Sequence, residues 1–224
     1  MVYIIAELGV NWRNLNEADE MIRECVGAGA DAVKFQAYKI YDEEKPTFLY
    51  HPRRKELESI ALTQSDIAYL YWRCRSAGVE FMCTPMYLDA VDMLDPYVKR
   101  WKIRCADKHN IALINKIAIT GKPVLFSIDE DIKYPDKCGL VNYLACIPEY
   151  PARVNGKELH GIGCNGLSSH CPFPEGIINV MRSKSYHYLE VHVKRDHYPD
   201  GYCPIDNHVS ITTSELKKIC EELK

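Results

Sequence analysis

Short apolar runs alternate with stretches of helical period along nearly the whole chain. Residues 2–6 form a continuous apolar run, the mark of a strand covered on both faces. Residues 16–26 then place Ala18, Met21, Ile22 and Cys25 at helical spacing and stop at the glycines of 27–31. The alternation continues with a strand at 32–37, a long loop rich in Lys, Arg and Pro, a helix at 64–76, a strand at 79–83 and a short helix at 88–94. Strands at 100–103 and 123–127 flank a helix at 111–120 that closes on Gly121. Residues 141–146 and 164–168 are strand-like, 176–183 helical, 188–192 strand and 213–223 a last helix.

Eight strands, most of them separated by helices, predict a parallel sheet closed into a (β/α)8 TIM barrel, expected as a single domain over 1–224. The gaps 128–140 and 147–163 are short, carry Pro and Gly, and show no helical period. The expected barrel is therefore shortened, with the helices after strands five and six reduced or missing. Apolar barrel surface exposed there would be covered by loops or by a second copy of the chain, a homo-oligomer.

Composition narrows the class. A hydrophobic share of 47% over 224 residues supports a packed core, and a net charge of -3 offers no basic face for nucleic acid. No apolar run approaches the roughly 20 residues of a membrane-spanning helix, and the chain begins in a strand-like segment without a charged leader. The ten cysteines contain no C-x-x-C pair, so neither a zinc signature nor a disulfide framework is evident. These features together predict a soluble cytoplasmic protein whose cysteines are reduced and mostly buried.

In a barrel of this kind, chemistry sits at the C-terminal ends of the strands. Those ends carry Glu7, then Lys34 and Gln36, Thr84, Lys102, Ser127, Tyr150, Ser168 with His170, and Glu190 with His192. A lone lysine in a strand is more often an outward-facing residue, and a lone histidine more often a hydrogen-bonded core residue. The functional case is their joint position: two lysines and two serines at one rim suit phosphate or carboxylate, and two histidines near carboxylates suit a divalent metal.

The blocks IIAELGVN (4–11), GADAVKFQAY (29–38), VEFMCTPMYLDAVDML (79–94), KRWKI (99–103) and KIAITGKPVLFS (116–127) occur in an order that resembles the sialic acid synthase (N-acetylneuraminate synthase) family. EYPA (149–152), GLSSH (166–170), LEVH (189–192) and IDNHVSIT (205–212) extend the resemblance over nearly the whole chain. It implies a TIM-barrel transferase that forms a C–C bond between phosphoenolpyruvate and an N-acetylmannosamine-like amino-sugar aldehyde. The products are a 2-keto sugar acid and phosphate, and a divalent metal, Mn2+ by the family's habit, assists. By the same resemblance His170 and His192 hold the metal, and Glu190 and Asp206 lie near it. Lys34, Lys102, Ser127 and Ser168 bind phosphoenolpyruvate, while Glu7, Gln36, Thr84 and Tyr150 face the sugar and the reacting carbons. Glu7 and Glu190 are the candidates for proton transfer.

The chain differs from the family's blocks at several places. Arg104 and Cys105 follow Lys102 where the family has alanine and serine, Ile128–Glu130 replace a T-G-M, and Pro148 replaces a polar residue. The resemblance covers the catalytic barrel and stops at Lys224, before the family's C-terminal antifreeze-like domain. A second reading is a barrel that keeps the ligand site without turnover and serves as a binding or regulatory protein.

Overall fold

A computed structural model describes residues 1–41, 48–135, 140–154 and 163–224. Strand β1 (Tyr3–Gly9) is followed by helix α1 (Leu15–Ala28), β2 (Ala32–Ala37), α2 (Arg54–Ser59), α3 (Gln64–Ala77), β3 (Glu80–Pro85) and α4 (Leu88–Leu94). Then come β4 (Trp101–Ile103), α5 (Ile111–Ile119), β5 (Val124–Ile128), β6 (Val141–Cys146) and β7 (Gly166–Ser169). The chain ends with α6 (Pro174–Lys184), β8 (Tyr188–Lys194), β9 (Ile211–Thr212) and α7 (Thr213–Leu223).

Eight parallel strands run in the order β3-β2-β1-β8-β7-β6-β5-β4, and β9 extends β8 at its end. β3 and β4 lie side by side without a shared ladder, so the sheet curls into a nearly closed (β/α)8 barrel. The alternation of side chains explains why the strands read as unbroken apolar runs. Ile4, Ala6 and Leu8 of β1 and Val33 and Phe35 of β2 face the helical layer. Ile5, Ala32, Met82, Leu125 and Leu144 fill the barrel interior. The next inward positions of β1 and β2 are Glu7 and Lys34, so the apolar plug gives way to polar groups toward the C-terminal rim.

Two glycines are required by this geometry. A Cβ on Gly166 would lie 2.7 Å from both the Cβ and the carbonyl oxygen of Tyr188 and would strike Leu144 as well. Gly9 adopts φ +49° at the irregularity where β1 breaks register with β2. A Cβ there would sit 2.9 Å from Glu7 Oε1 and 3.0 Å from Gln36 Nε2, so Gly9 leaves these two room to meet.

The helices mostly fall where the hydrophobic period places them, and side-chain caps set their starts. Thr63 and Thr212 each form a capping box with the acidic residue three positions on, Asp66 and Glu215. Helix α2 lies in the stretch expected to be loop. Six residues with one buried apolar side chain, Leu57, are too short to show a period, and the Leu57 carbonyl is tied to Tyr38 Oη at 2.9 Å.

Among the described residues, the β5–β6 and β6–β7 connections contain no helix. Loop side chains take over the covering task. Tyr134 packs against Phe126 and its backbone N–H donates to Tyr143 Oη at 3.0 Å. After β6, Ala152 and Val154 are buried, and Ala152 N–H donates to the His170 carbonyl at 3.1 Å. The nine described cysteines are free; Cys138 lies outside the described residues. No helix of the described residues is long and apolar enough to cross a membrane.

Candidate active site

The C-terminal rim of the barrel opens on a cavity of about 290 Å³. Ten of the residues singled out in the sequence line it: Glu7, Lys34, Gln36, Thr84, Ser127, Tyr150, Ser168, His170, Glu190 and His192. Lys102 and Asp206 stand just behind the lining and reach it through Glu190 and His192. Residues spread over most of the chain thus meet at one place.

A buried charge network forms the floor. The Lys34 ammonium pairs with Glu7, donates to Thr84 Oγ1 at 2.9 Å and lies 3.7 Å from Glu190 Oε2. Lys102 Nζ donates to its neighbour's carbonyl, Ile103, at 3.1 Å and lies 3.5 Å from Glu190 Oε1. Ser168 Oγ donates to the same Glu190 oxygen at 3.0 Å, and Gln36 Nε2 to Glu7 Oε1 at 2.7 Å. Burial would lower both ammonium groups; Glu190 and Glu7 outweigh it at Lys34, which is held above the ordinary lysine value. At Lys102 burial wins, helped by repulsion from Lys34, and its value is depressed. Glu190 would be raised by burial, but the two lysines and Ser168 hold it well below the carboxylate range.

The other side of the rim carries the imidazoles. The His170 and His192 rings lie 5.6 Å apart, and Tyr150, half-exposed at the mouth, covers His170 at 4.0 Å. His170 Nδ1 donates to the Ile147 carbonyl at 3.2 Å, and burial beside His192 pushes its pKa down to about 4. His192 Nδ1 faces Asp206 Oδ2 at 3.3 Å, off the hydrogen-bond axis. Burial would lower His192, but the Asp206 carboxylate outweighs it and raises the ring above the ordinary value. Asp206 is placed by Asn11, a fully buried residue whose Oδ1 accepts the Asp206 N–H at 2.9 Å. Asn11 Nδ2 in turn donates to Val193 O and Ser210 Oγ.

Among the described residues, four buried atoms at this cavity have no hydrogen-bond partner: Glu7 Oε2, Ser127 Oγ, Glu190 Oε2 and His192 Nδ1, of which all but Ser127 Oγ face an opposite charge. Buried polar groups are paired in the great majority of cases, so four at one opening mark a surface shaped for a polar ligand. Among the described residues, no three or more His, Cys, Asp or Glu side chains converge as a ready metal cage.

Arg104, Cys105, Lys108, His109, Asp129 and Cys146 also line the cavity and had no assigned role. Arg104, Cys105 and Asp129 were visible as differences from the family's blocks; Lys108 and His109 sit on a turn after β4 where no periodicity speaks. Lys108 Nζ pairs with Asp129 and, at 3.0 Å, with Glu130 Oε1. Burial would raise the Asp129 carboxyl, and Lys108 outweighs it, so this acid at the rim stays ionised but neutralised. The Cys105 thiol meets those of Cys146 and the carboxylate of Asp129.

The family model described as NeuB family matches residues 21–224. A protein of Methanocaldococcus jannaschii is 32% identical over 172 residues, which are 71% of this chain and 50% of that protein. The N,N'-diacetyllegionaminic acid synthase of Campylobacter jejuni is 25% identical over 99% of this chain and 75% of its own length. This chain therefore spans from half to three quarters of these two relatives. The crystal structure of the N-acetylneuraminic (sialic) acid synthetase of Leptospira borgpetersenii, in complex with citrate, superposes with a TM-score of 0.81. It shares 25% identity and covers 99% of this chain and 82% of that one. On a family match that takes in all of the chain after residue 20, this protein belongs to the NeuB family.

Proposed function

We propose that this protein is a phosphoenolpyruvate-dependent sugar-acid synthase, a C–C bond-forming transferase whose acceptor is an N-acetylmannosamine-like amino-sugar aldehyde. The observation that carries the reading is the floor of the cavity, where two buried lysines and Ser168 surround Glu190 and Ser127 Oγ is left unpartnered. Phosphoenolpyruvate offers a carboxylate and a phosphate to such a floor. Lys34 is held charged in its place by Glu7 and Glu190, and an arriving anion would favour the charged form of Lys102, which burial disfavours. Ser127 on β5 and Ser168 on β7 supply neutral donors on either side of β6, held in place by the barrel strands.

The roles divide across the rim. C3 of the enol attacks the aldehyde carbon, the aldehyde oxygen takes up a proton, water adds at C2, and the resulting tetrahedral centre loses phosphate to leave the 2-keto acid. Glu7 is oriented by Gln36 and paired with Lys34, which places a carboxylate where a proton must be moved. Glu190 holds the two lysines at their spacing. Thr84 fixes Lys34, and the Tyr150 ring screens the acceptor end from water.

A divalent ion fits the acceptor side as a two-histidine site. His170 remains neutral at pH 7, with Nδ1 anchored on a backbone carbonyl, and His192 backs onto a carboxylate, the arrangement found behind metal-ligating imidazoles. His170 and His192 would hold the ion, with water or substrate completing its shell and Asp206 standing behind His192. Bound there, Mn2+ or a similar ion would polarise the aldehyde oxygen.

Phosphate release tests the reading. Protein, phosphoenolpyruvate, Mn2+ and a panel of amino-sugar aldehydes including N-acetylmannosamine should release phosphate with at least one acceptor. Binding of phosphoenolpyruvate without release from any acceptor would instead favour the barrel without turnover.

A further inference from the structure

Four cationic side chains bear on the cavity, and their donors are committed very differently. Lys34 is spent on Glu7, Glu190 and Thr84. Lys102 is spent on Glu190 and a backbone carbonyl, and Lys108 on Asp129 and Glu130. Arg104 is tied at Nε alone, which donates to Asp107 Oδ2 at 2.6 Å. No other described residue pairs with its guanidinium, and it lines the cavity. Asp107 is 1% exposed, so the group that holds Nε is itself fixed in the protein.

A guanidinium clamped at one nitrogen by a buried carboxylate has its plane set and its two terminal nitrogens still able to donate. That is the form in which arginine takes two oxygens of a tetrahedral anion. Position agrees with donor supply. Arg104 directly follows β4, the strand of Lys102, and β4 pairs with β5, which carries Ser127 one residue before its end. In the strand order this edge of the rim is far from β1 and β8, where Glu7 and His192 stand. The nearby acids do not oppose an anion, because Lys108 neutralises Asp129 and shares Glu130 with His109.

We infer that Arg104, oriented by Asp107, is the specificity-determining donor for the phosphate group of the substrate, presenting its two free terminal nitrogens to the cavity. The inference rests on the proposed synthase reading and adds to it a guanidinium donor for the leaving phosphate. Asp107 is a positioning residue, acting through Arg104.

Calorimetric titration of phosphoenolpyruvate, and separately of inorganic phosphate, into wild type, Arg104→Gln and Arg104→Lys tests it, with thermal unfolding to establish that each variant folds. Arg104→Gln is expected to weaken both ligands at least tenfold, and Arg104→Lys to recover part of the loss through charge without the two-pronged geometry. In turnover, KM for phosphoenolpyruvate should rise while KM for the acceptor stays within twofold. A folded Arg104→Gln protein that binds both ligands within twofold of wild type overturns the assignment and leaves the synthase reading intact. Wild-type protein that binds inorganic phosphate through Arg104 but neither binds nor consumes phosphoenolpyruvate keeps the anion site and sinks the synthase. If wild type binds neither, both fall.

Discussion

Lys34 shows how one side chain links stability to chemistry. Its ammonium is the shared counter-ion of Glu7 and Glu190, all three nearly excluded from water. Removing one member of a buried ionic group strands the others, at a cost of about 3–5 kcal/mol. Lys34→Met should therefore lower stability by that order in urea denaturation, and adding Glu190→Gln should recover part of the loss in a double-mutant cycle. Glu7→Gln is a milder change, because the amide keeps a hydrogen-bonding oxygen for Gln36. It should leave the fold intact while turnover falls about a hundredfold or more; undiminished phosphate release would remove Glu7 from proton transfer. His170→Ala and His192→Ala should each abolish dependence on added Mn2+, and an unchanged metal titration would refute the two-histidine site. The inward lysines were legible only through their joint position with the other polar residues at the strand ends, since a lone strand lysine more often faces outward. Asn11 was not: nothing in its spacing reveals that it orders Asp206, almost two hundred residues away.

Helix α1 and helix α3 illustrate a different kind of contact. Asp19 on α1 receives Arg73 of α3 through two hydrogen bonds, at 2.5 and 2.7 Å, and pairs with Arg23 on its own helix. Burial would raise the Asp19 carboxyl; the two arginines outweigh it and hold it below the ordinary value. A depressed acid contributes stability that is complete above its unfolded-state pKa of about 3.9 and disappears as pH falls through the folded value. Asp19→Asn should thus cost about 1 kcal/mol at pH 7, and its melting temperature should converge on that of wild type near pH 3 and below. On β7, Gly166→Ala should destabilise by about 1–3 kcal/mol, since the obstacles to its Cβ include backbone, and guanidinium chloride midpoints would register it. Long amphipathic helices such as α1 announce themselves through their own period. Helix α2 does not, being a short segment held by what it packs against.

The barrel as an object depends on closing an eight-stranded sheet with two helices missing from the described part of its outer layer. Tyr134 substitutes for one of them, lying on Phe126 behind β5. Tyr134→Ala should expose Phe126, lower stability by about 3 kcal/mol and increase binding of a hydrophobic dye; an unchanged melting temperature would show that another element covers this face. The eight barrel strands and their parallel run were written in the amino-acid pattern, because doubly covered apolar runs alternate with helical stretches; the two-residue β9 was not. The set of polar residues at the ends of the barrel strands was written there too, because a buried lysine or glutamate is too costly to occur there without a partner. What the linear pattern could not hold was the sharing of partners across strands: Lys34 between Glu7 and Glu190, Lys108 between Asp129 and Glu130, and Arg104 with donors left over. Those assignments come from distances of a few ångströms between groups far apart along the chain, and closure of the barrel sets them.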